Sequence, residues 1–136
     1  YMQQSVPTVG QYMSRNPVII DGGLNLVDAY TRMFQREIRH LPVYVDNHLV
    51  GIISDRDLGH TMAVKGLDPQ KTTIESVCTP NPFVVDPDHR LDQVVEIMAA
   101  NKIGAALVMR DGQLLGIFSV IDALHALVAL LHQPKA

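Results

Sequence analysis

Hydrophobic and polar positions along this chain follow one pattern twice, and each occurrence predicts the same order of strands and helices. The first begins with three apolar residues at positions 18–20 after Asn16-Pro17, and the second with three at positions 83–85 after Asn81-Pro82. Asn-Pro ends a preceding helix and favours extended structure. Both triplets are therefore predicted to form short strands. Short helices are predicted ahead of them, at Val9–Met13 and Ile74–Cys78.

A helical period follows each predicted strand. In the second pattern, apolar residues at i, i+3, i+4 and i+7 are Leu91, Val94, Val95 and Met98. In the first pattern, nearly the same spacing is found for Leu26, Tyr30 and Met33. An apolar stripe with this period is typical of an amphipathic helix that packs the stripe against a core.

A hairpin and a closing helix complete each pattern. Apolar runs flank polar turn residues, with Leu41–Val45 and Leu49–Ser54 around positions 46–48, and Ala105–Met109 and Gln113–Ser119 around Asp111-Gly112. Asp-Gly between two such runs is a strong signal of a tight hairpin turn. The closing helices are predicted at Asp55–Lys65 and Val120–His132.

The two patterns are copies of one sequence unit. Residues 8–62 align with residues 73–127 at a constant offset of 65 positions, and 15 of the 55 pairs are identical. A long period that occurs only twice differs from a solenoid, which stacks short units many times. Each copy is too short to bury a good core, so we expect two β-α-β-β-α repeats, related by a pseudo-twofold axis, to pack into one mixed α/β (α+β) module. The repeats are assigned to residues 8–65 and 73–132, with a linker at 66–72.

The last predicted helix is apolar around more of its circumference than a surface helix requires. Its apolar residues are too many to lie on a single stripe of the helix surface; they are at positions 121, 123, 124, 127, 128, 130 and 131. Such a helix is either buried within the module or covered by another subunit. We therefore expect a homodimer in which residues 120–131 contribute apolar surface.

Composition limits the classes of partner. The chain of 136 residues is 47% hydrophobic and 18% charged, with a net charge of −3. This argues against a nucleic-acid-binding protein, because phosphate contacts need clustered Lys and Arg. The single cysteine, Cys78, excludes an internal disulfide and fits a reducing compartment.

Targeting signals are not evident in the sequence. The first five residues lack the pattern of a signal peptide, and the longest apolar run is far too short for a membrane span. We therefore expect a soluble, cytoplasmic protein with no membrane partner. Tyr1 is not a natural first residue, which is expected of a piece cut from a longer chain.

The strongest local signal for chemistry lies at the end of the last strand of each copy. Gly51-Ile52-Ile53-Ser54 continues to Asp57, and Gly116-Ile117-Phe118-Ser119 continues to Asp122. A helix N-terminus offers unpaired N–H groups to an anion such as phosphate. An Asp carboxylate there can accept hydrogen bonds from the two hydroxyls of a ribose. Ser-x-x-Asp is also typical of a capping box, which stabilises a helix without any ligand, so the motif leaves both interpretations open.

These features resemble the tandem cystathionine-β-synthase (CBS) domain pair, often called a Bateman module, from residue 8 to about residue 127. The resemblance lies in Asn-Pro before the first strand, in His40-Leu41-Pro42-Val43, and in Gly51–Leu58, where serine replaces the family's usual threonine. It implies a regulatory module, not an enzyme, that binds adenine nucleotides (AMP, ADP or ATP), or S-adenosylmethionine, in clefts between the repeats. Binding would act on a regulated protein or a fused domain, and the nucleotide is a regulatory ligand, not a required cofactor.

The resemblance also implies which residues bind the ligand. Ser54 and Ser119 would face phosphate, and Asp57 and Asp122 would hold the ribose hydroxyls. Backbone contacts and an apolar wall for adenine would come from the first strands, at Pro17, Val18, Ile19 and Ile20 and at Pro82, Phe83, Val84 and Val85.

The two copies differ in charge near the expected phosphate. Three residues of the first copy, Arg39, His40 and Arg56, correspond to Gly104, Ala105 and Ile121 in the second. We expect the first cleft to bind the more highly phosphorylated ligand. Taken alone, the two arginines are equally well interpreted as solvated surface charges without a ligand. The second cleft would suit a nucleoside or stay empty, unless cations reach across from the other copy.

A structural dimerisation scaffold with empty clefts is the alternative from another functional class, and the apolar last helix fits it equally well. An enzyme is not indicated. The six histidines show no metal-ligand spacing, Cys78 has no histidine placed to activate it, and no glycine-rich phosphate loop is present.

Overall fold

The computed structural model describes residues 5–133, which form a mixed α+β fold. The chain divides into two compact units. Unit one contains residues 18–82, and unit two combines the residues before them with those from Phe83 onward. Residues 1–4, which make up most of the N-terminal segment without a signal-peptide pattern, lie outside the described residues.

Each repeat has the predicted order of strand, helix, hairpin and helix. The helices are α1 (Val9–Tyr12), α2 (Leu26–Arg36), α3 (Asp55–Met62), α4 (Ile74–Val77), α5 (Leu91–Asn101) and α6 (Val120–Leu131). The strands are β1 (Ser14–Arg15), β2 (Ile20–Asp21), β3 (His40–Val45), β4 (His48–Ser54), β5 (Val84–Val85), β6 (Ala105–Arg110) and β7 (Gln113–Ser119). The mixed fold class and the two β-α-β-β-α repeats are confirmed, with boundaries shifted by up to three residues.

The sheet of unit one has three strands in the order β2-β3-β4. β2 runs parallel to β3, and β3 and β4 form an antiparallel hairpin. The hairpin turns at Asp46 and Asn47, whose φ angles of 49° and 63° suit the right-handed twist of the strands. Buried apolar side chains form its core, among them Ile20, Leu26, Leu41, Ile53 and Leu58.

The sheet of unit two has four strands in the order β1-β7-β6-β5. β5 runs parallel to β6, and β6 and β7 form an antiparallel hairpin. This hairpin turns at Asp111 and Gly112 as predicted, with φ angles of 53° and 76°. The core of this unit includes Val9, Val94, Met98, Val108 and Phe118.

The leading segment of each repeat packs in the unit that holds the other repeat; we call residues 9–15 and 74–79 the exchanged segments. Ser14 of β1 pairs with Ile117 of β7 in unit two. Thr79, after α4, forms a bridge with Ile52 of β4 in unit one. Residues 8–65 and 73–132 therefore remain the predicted repeats of the sequence, while the compact units cross those boundaries.

The prediction that Tyr30 lies on the buried stripe of α2 is wrong. Tyr30 is 56% exposed and its ring stacks on Phe34, whereas the buried residues of α2 are Leu26, Ala29 and Met33. At 3.6 residues per turn, Ala29 and Met33 lie on one side of Leu26 around the helix and Tyr30 lies on the other. The core is on the side of Ala29, so Tyr30 turns towards solvent.

The expectation of extended structure at Asn-Pro is also wrong for the asparagines themselves. Asn16 and Asn81 have left-handed φ angles of 54° and 52°. Asparagine tolerates this conformation better than most residues because its short polar side chain can form local hydrogen bonds. The strands accordingly begin three or four residues after each asparagine, at Ile20 and Val84.

The excess of apolar residues on α6 leaves a partly exposed apolar face. Its side chains are 48–72% exposed, and they are Val120, Ile121, Leu124, Leu127, Val128 and Leu131. On this helix only Asp122 and Ala126 are buried. These six apolar residues are therefore not buried within the module, and contact with another subunit stays a prediction. No helix within residues 5–133, α6 included, is long and apolar enough to cross a bilayer.

Candidate ligand sites at the ends of two strands

Ser54 and Asp57 lie where β4 passes into α3. The Ser54 hydroxyl oxygen accepts a hydrogen bond from the Asp57 N–H at 3.0 Å, so Ser54 caps the helix. The Asp57 Oδ2 accepts one long hydrogen bond, 3.4 Å from Thr79 Oγ1, and among residues 5–133 no donor reaches its Oδ1. The half-buried carboxylate therefore retains acceptor capacity for a ligand.

Nitrogen-bearing side chains are brought to the same helix end. His40 lies opposite Ser54 in the β3–β4 register, and the Arg39 carbonyl accepts a hydrogen bond from the Asp55 N–H at 2.9 Å. The exposed Arg39 guanidinium has its Nε 4.0 Å from the Asp55 carboxylate. Arg56 is exposed in the first turn of α3. An anion at this helix end would be within the field of two arginines as well as of the helix dipole.

Burial lowers the pKa of His40, and the nearby carboxylates of Asp55 and Asp57 oppose that effect. The imidazole is therefore neutral at neutral pH, with one donor and one acceptor nitrogen. A phosphate bound within reach would favour the protonated form, because an adjacent negative charge stabilises the cation.

The first strand of unit one presents little apolar surface. Ile20 is 1% exposed and belongs to the core, and Val18 packs partly against that core. Ile19 is 43% exposed, and its carbonyl accepts a hydrogen bond from Arg32 Nη1 at 3.0 Å. Only Ile19 and part of Val18 can face a ligand with their side chains. Pro17 is the last residue of the segment that belongs to unit two.

The equivalent carboxylate in unit two is already engaged. Asp122 is 9% exposed, and its Oδ2 accepts hydrogen bonds from the N–H and hydroxyl of Ser119 at 2.9 and 3.0 Å. Its Oδ1 accepts a hydrogen bond from Ser14 Oγ at 2.8 Å. The Asp122 N–H donates to the Ser119 hydroxyl oxygen, which completes a capping box at the start of α6. The geometry here is that of the capping interpretation, and Ser14 already occupies one acceptor position of Oδ1.

The surroundings of Asp122 lack the charged residues found in unit one. The positions equivalent to the two arginines and the histidine hold Gly104, Ile121 and Ala105. Neither a guanidinium nor an imidazole is therefore available at those three positions to bind phosphate.

The first strand of unit two repeats the burial pattern of its counterpart. Val85 is 4% exposed and belongs to the core, and Phe83 packs partly against that core. Val84 is 45% exposed. Pro82 is the last residue of the segment that belongs to unit one. Any contribution of Val85 to a ligand would be through its backbone.

Two hydroxyl groups were missed by the sequence analysis. Ser14 and Thr79 occupy equivalent positions, 65 residues apart, and each donates a hydrogen bond to the aspartate of the other repeat, Asp122 and Asp57 respectively. They reach these carboxylates because they lie in the exchanged segments. A hydroxyl residue two positions before Asn-Pro in both copies was the available signal, but the pattern does not reveal which sheet the segment joins.

Other reactive groups do not form a site within the described part of the chain. Among residues 5–133, no three His, Cys, Asp or Glu side chains lie close enough together to hold a metal ion. Burial raises the pKa of the Cys78 thiol, which disfavours the nucleophilic thiolate at neutral pH.

Comparison with known proteins gives the same match for both repeats. A family model described as CBS domain matches residues 9–62 and 74–129. The CBS domain-containing protein CBSCBSPB5 of Arabidopsis thaliana is 26% identical over 125 residues, which make up 90% of this chain and 23% of that protein. This chain thus spans less than a quarter of the length of that relative.

Two solved structures are similar over most of this chain. The hexameric CBS-CP12 protein from bloom-forming cyanobacteria has a TM-score of 0.84 at 26% identity, over 98% of this chain and 79% of that chain. The CBS domain pair of protein MJ0100 was solved in complex with methylthioadenosine and S-adenosyl-L-methionine. Its TM-score is 0.78 at 25% identity, over 88% of this chain and 98% of that chain.

Proposed function

Because this chain belongs to the CBS domain family, we propose that it is a regulatory module that binds an adenine nucleotide at the N-terminus of α3 in unit one. The observation that carries this proposal is the Asp57 carboxylate, which is half-buried and keeps acceptor capacity beside a helix that Ser54 already caps. A ribose presents two adjacent hydroxyl donors, which are suitable partners for such a carboxylate.

The phosphate of the nucleotide would bind at the same helix end. In the first turn of α3, the N–H of Asp55 donates to the Arg39 carbonyl and that of Asp57 to the capping serine. The N–H of Arg56 is therefore the first-turn donor left for an anion, and the two exposed guanidinium groups add positive charge. Adenine would lie against the exposed side chain of Ile19.

The similar proteins support one part of this proposal, the binding of an adenosine compound. The MJ0100 domain pair was solved with two adenosine compounds, which favours an adenosine ligand; the arginines of unit one are the reason to infer AMP, ADP or ATP here. Because the chain is a small part of its Arabidopsis relative, the target of regulation would be a fused domain or a separate protein. In this proposal the module has no catalytic role or required cofactor, and its single cysteine fits the cytoplasm.

A ligand panel tests the proposal. Thermal unfolding is measured with AMP, ADP, ATP, S-adenosylmethionine, NAD and, as the control for ribose without adenine, ribose 5-phosphate. A ligand at 100 times its dissociation constant stabilises the folded state by about 2.7 kcal/mol. We expect an increase in melting temperature with at least one adenine nucleotide and none with the control. No shift with any adenosine compound would contradict nucleotide binding.

The two sites are expected to differ in their preference for phosphate. Hydrogen bonds to charged groups contribute about 1.5–3 kcal/mol each, and about 1.4 kcal/mol is tenfold in affinity. Arg39 and Arg56 should therefore separate the sites by orders of magnitude for ATP and much less for adenosine. Crystals soaked in ATP should show density first beside Arg56. Triphosphate bound only beside Asp122 would reverse the assignment.

The partly exposed apolar face of α6 favours a second element of the proposal, a homodimer. Light scattering at tens of micromolar should give the mass of two chains. A monomer at that concentration would contradict the dimer, and a dimer that binds no nucleotide would favour the alternative of a structural scaffold with empty clefts.

A further inference from the structure

Arg39 and Asp55 form an ion pair beside the proposed phosphate position in unit one. The Arg39 Nε lies 4.0 Å from the Asp55 carboxylate, and the two side chains are 72% and 53% exposed. Ion pairs with this much solvent around them contribute little to stability. The pair can therefore open at little cost when another anion reaches the guanidinium group.

Unit two shows that the junction of strand and helix does not need this ion pair. The Asp55 N–H donates to the Arg39 carbonyl at 2.9 Å, and the Val120 N–H donates to the Gly104 carbonyl at 3.1 Å. These residues occupy equivalent positions of the two repeats. The same backbone hydrogen bond is thus made without the two charges, which repeat two lacks together. This favours a role for the charges that is separate from folding.

Asp55 is the acidic residue of the first turn of α3 that the proposed site leaves without a role. Ser54 caps the helix, and Asp57 is proposed to bind the ribose. The N–H left for phosphate is that of Arg56, the next residue after Asp55. An anion bound there would be repelled by the Asp55 carboxylate in the same turn.

The charges at this helix end cancel. Arg39 and Arg56 are positive, Asp55 and Asp57 are negative, and burial keeps His40 neutral at neutral pH. These four charges therefore provide no net positive field to a ligand. Without Asp55 the same groups would have a net charge of about +1, and each further phosphate would gain affinity from it.

We propose that Asp55 is a specificity-determining residue, whose carboxylate competes with the ligand phosphate for Arg39 and limits the affinity that each phosphate adds. This inference rests on the proposed function and concerns how strongly that site distinguishes adenosine, AMP, ADP and ATP. On binding, a phosphate oxygen would replace the Asp55 carboxylate at the guanidinium group. The expected preference of unit one over unit two for phosphate remains, because the equivalent positions in unit two hold no arginine.

Asp55→Asn tests this role by calorimetric titration with adenosine, AMP and ADP at low ionic strength, without divalent cations. One unit charge a few ångströms away changes affinity in water roughly threefold per ligand charge. We therefore expect no change for adenosine, a gain of about tenfold for AMP and a gain of about thirtyfold for ADP. In 1 M salt the gains should shrink, because the Debye length falls to about 3 Å.

Asp46→Asn is the matched control, because it removes the same charge from the same unit. Asp46 lies in the hairpin turn after β3, about 20 Å along the strand from Arg39. Its φ angle of 49° is one that asparagine tolerates. This variant should leave all three affinities unchanged.

The Arg39→Ala background tests the competition itself. There the gain from Asp55→Asn should be smaller than in the unchanged chain, because the carboxylate has no guanidinium group to bind. An equal gain in both backgrounds would overturn the competition for Arg39. If the unchanged chain binds AMP and Asp55→Asn binds it no more tightly, or if adenosine gains as much as AMP, the role of Asp55 fails and the proposed function stands. If the unchanged chain binds neither adenosine nor AMP, both fail.

Discussion

Asp57→Asn is expected to lower the affinity for an adenine nucleotide by roughly ten- to a hundredfold, because the amide loses the charge and one of the acceptors for the ribose hydroxyls. The fold should be little affected. Ser54, not the Asp57 side chain, caps α3, and within residues 5–133 the carboxylate accepts a single hydrogen bond, 3.4 Å long, from Thr79. The free energy of unfolding without ligand should therefore change by less than about 1 kcal/mol.

Calorimetric titration and ligand-free melting curves of the same samples measure both quantities. Asp122→Asn is the matched control, because the equivalent carboxylate is buried and accepts three hydrogen bonds. It should lower the free energy of unfolding by about 1–3 kcal/mol and leave the affinity of the first site unchanged. Unchanged nucleotide affinity in both Asp57→Asn and Asp57→Ala would remove the ligand-binding role of Asp57.

Gly116→Ala is expected to reduce the free energy of unfolding by about 2–3 kcal/mol, because overpacking forces the surrounding backbone to move. A Cβ atom at Gly116 would lie 2.6 Å from the Ser14 carbonyl oxygen and 2.7 Å from the Met13 sulfur. Relief of that overlap would displace β1 from β7 and break the hydrogen bond from Ser14 to Asp122. Gly51 makes the equivalent close approach to Thr79, so Gly51→Ala should have a similar effect in unit one.

Denaturant unfolding compares these variants with Gly59→Ala. A Cβ atom at Gly59 meets nothing within 4 Å, and alanine is favoured over glycine inside a helix, so Gly59→Ala should stabilise the protein by about 0.5–1 kcal/mol. Equal stability of Gly116→Ala and the unchanged chain would show that β1 does not need the close approach.

The order of elements could be predicted from the sequence because each signal is local. Apolar spacing placed the helices, and Asp111-Gly112 between two apolar runs placed a hairpin turn that the structure confirms. Tyr30 was misplaced because a stripe that starts at Leu26 can continue on either side of that residue around the helix. Only the position of the core, which other parts of the chain form, decides between Ala29 and Tyr30.

The candidate site was harder to predict for a related reason. Ser-x-x-Asp is compatible with a helix cap and with a ligand site. In the structure, the two copies differ in how many hydrogen bonds the aspartate carboxylate already accepts. The Asp122 carboxylate accepts hydrogen bonds from Ser119 and Ser14, whereas in the described part of the chain the Asp57 carboxylate accepts one long hydrogen bond. Ser14 and Thr79 are distant in sequence from the aspartates they contact, by 108 and 22 residues, so no local pattern could connect them.

The exchanged segments also bear on how a chain of this kind arises. A single repeat cut out on its own would keep its own leading segment and lack the one that its sheet receives here. The product of an ancestral gene encoding one repeat would therefore have had to form a pair of molecules, in which the first residues of each molecule paired with the sheet of the other. Duplication and fusion of that gene would place both exchanged segments in a single chain. Their pairing would then no longer depend on the concentration of a second molecule.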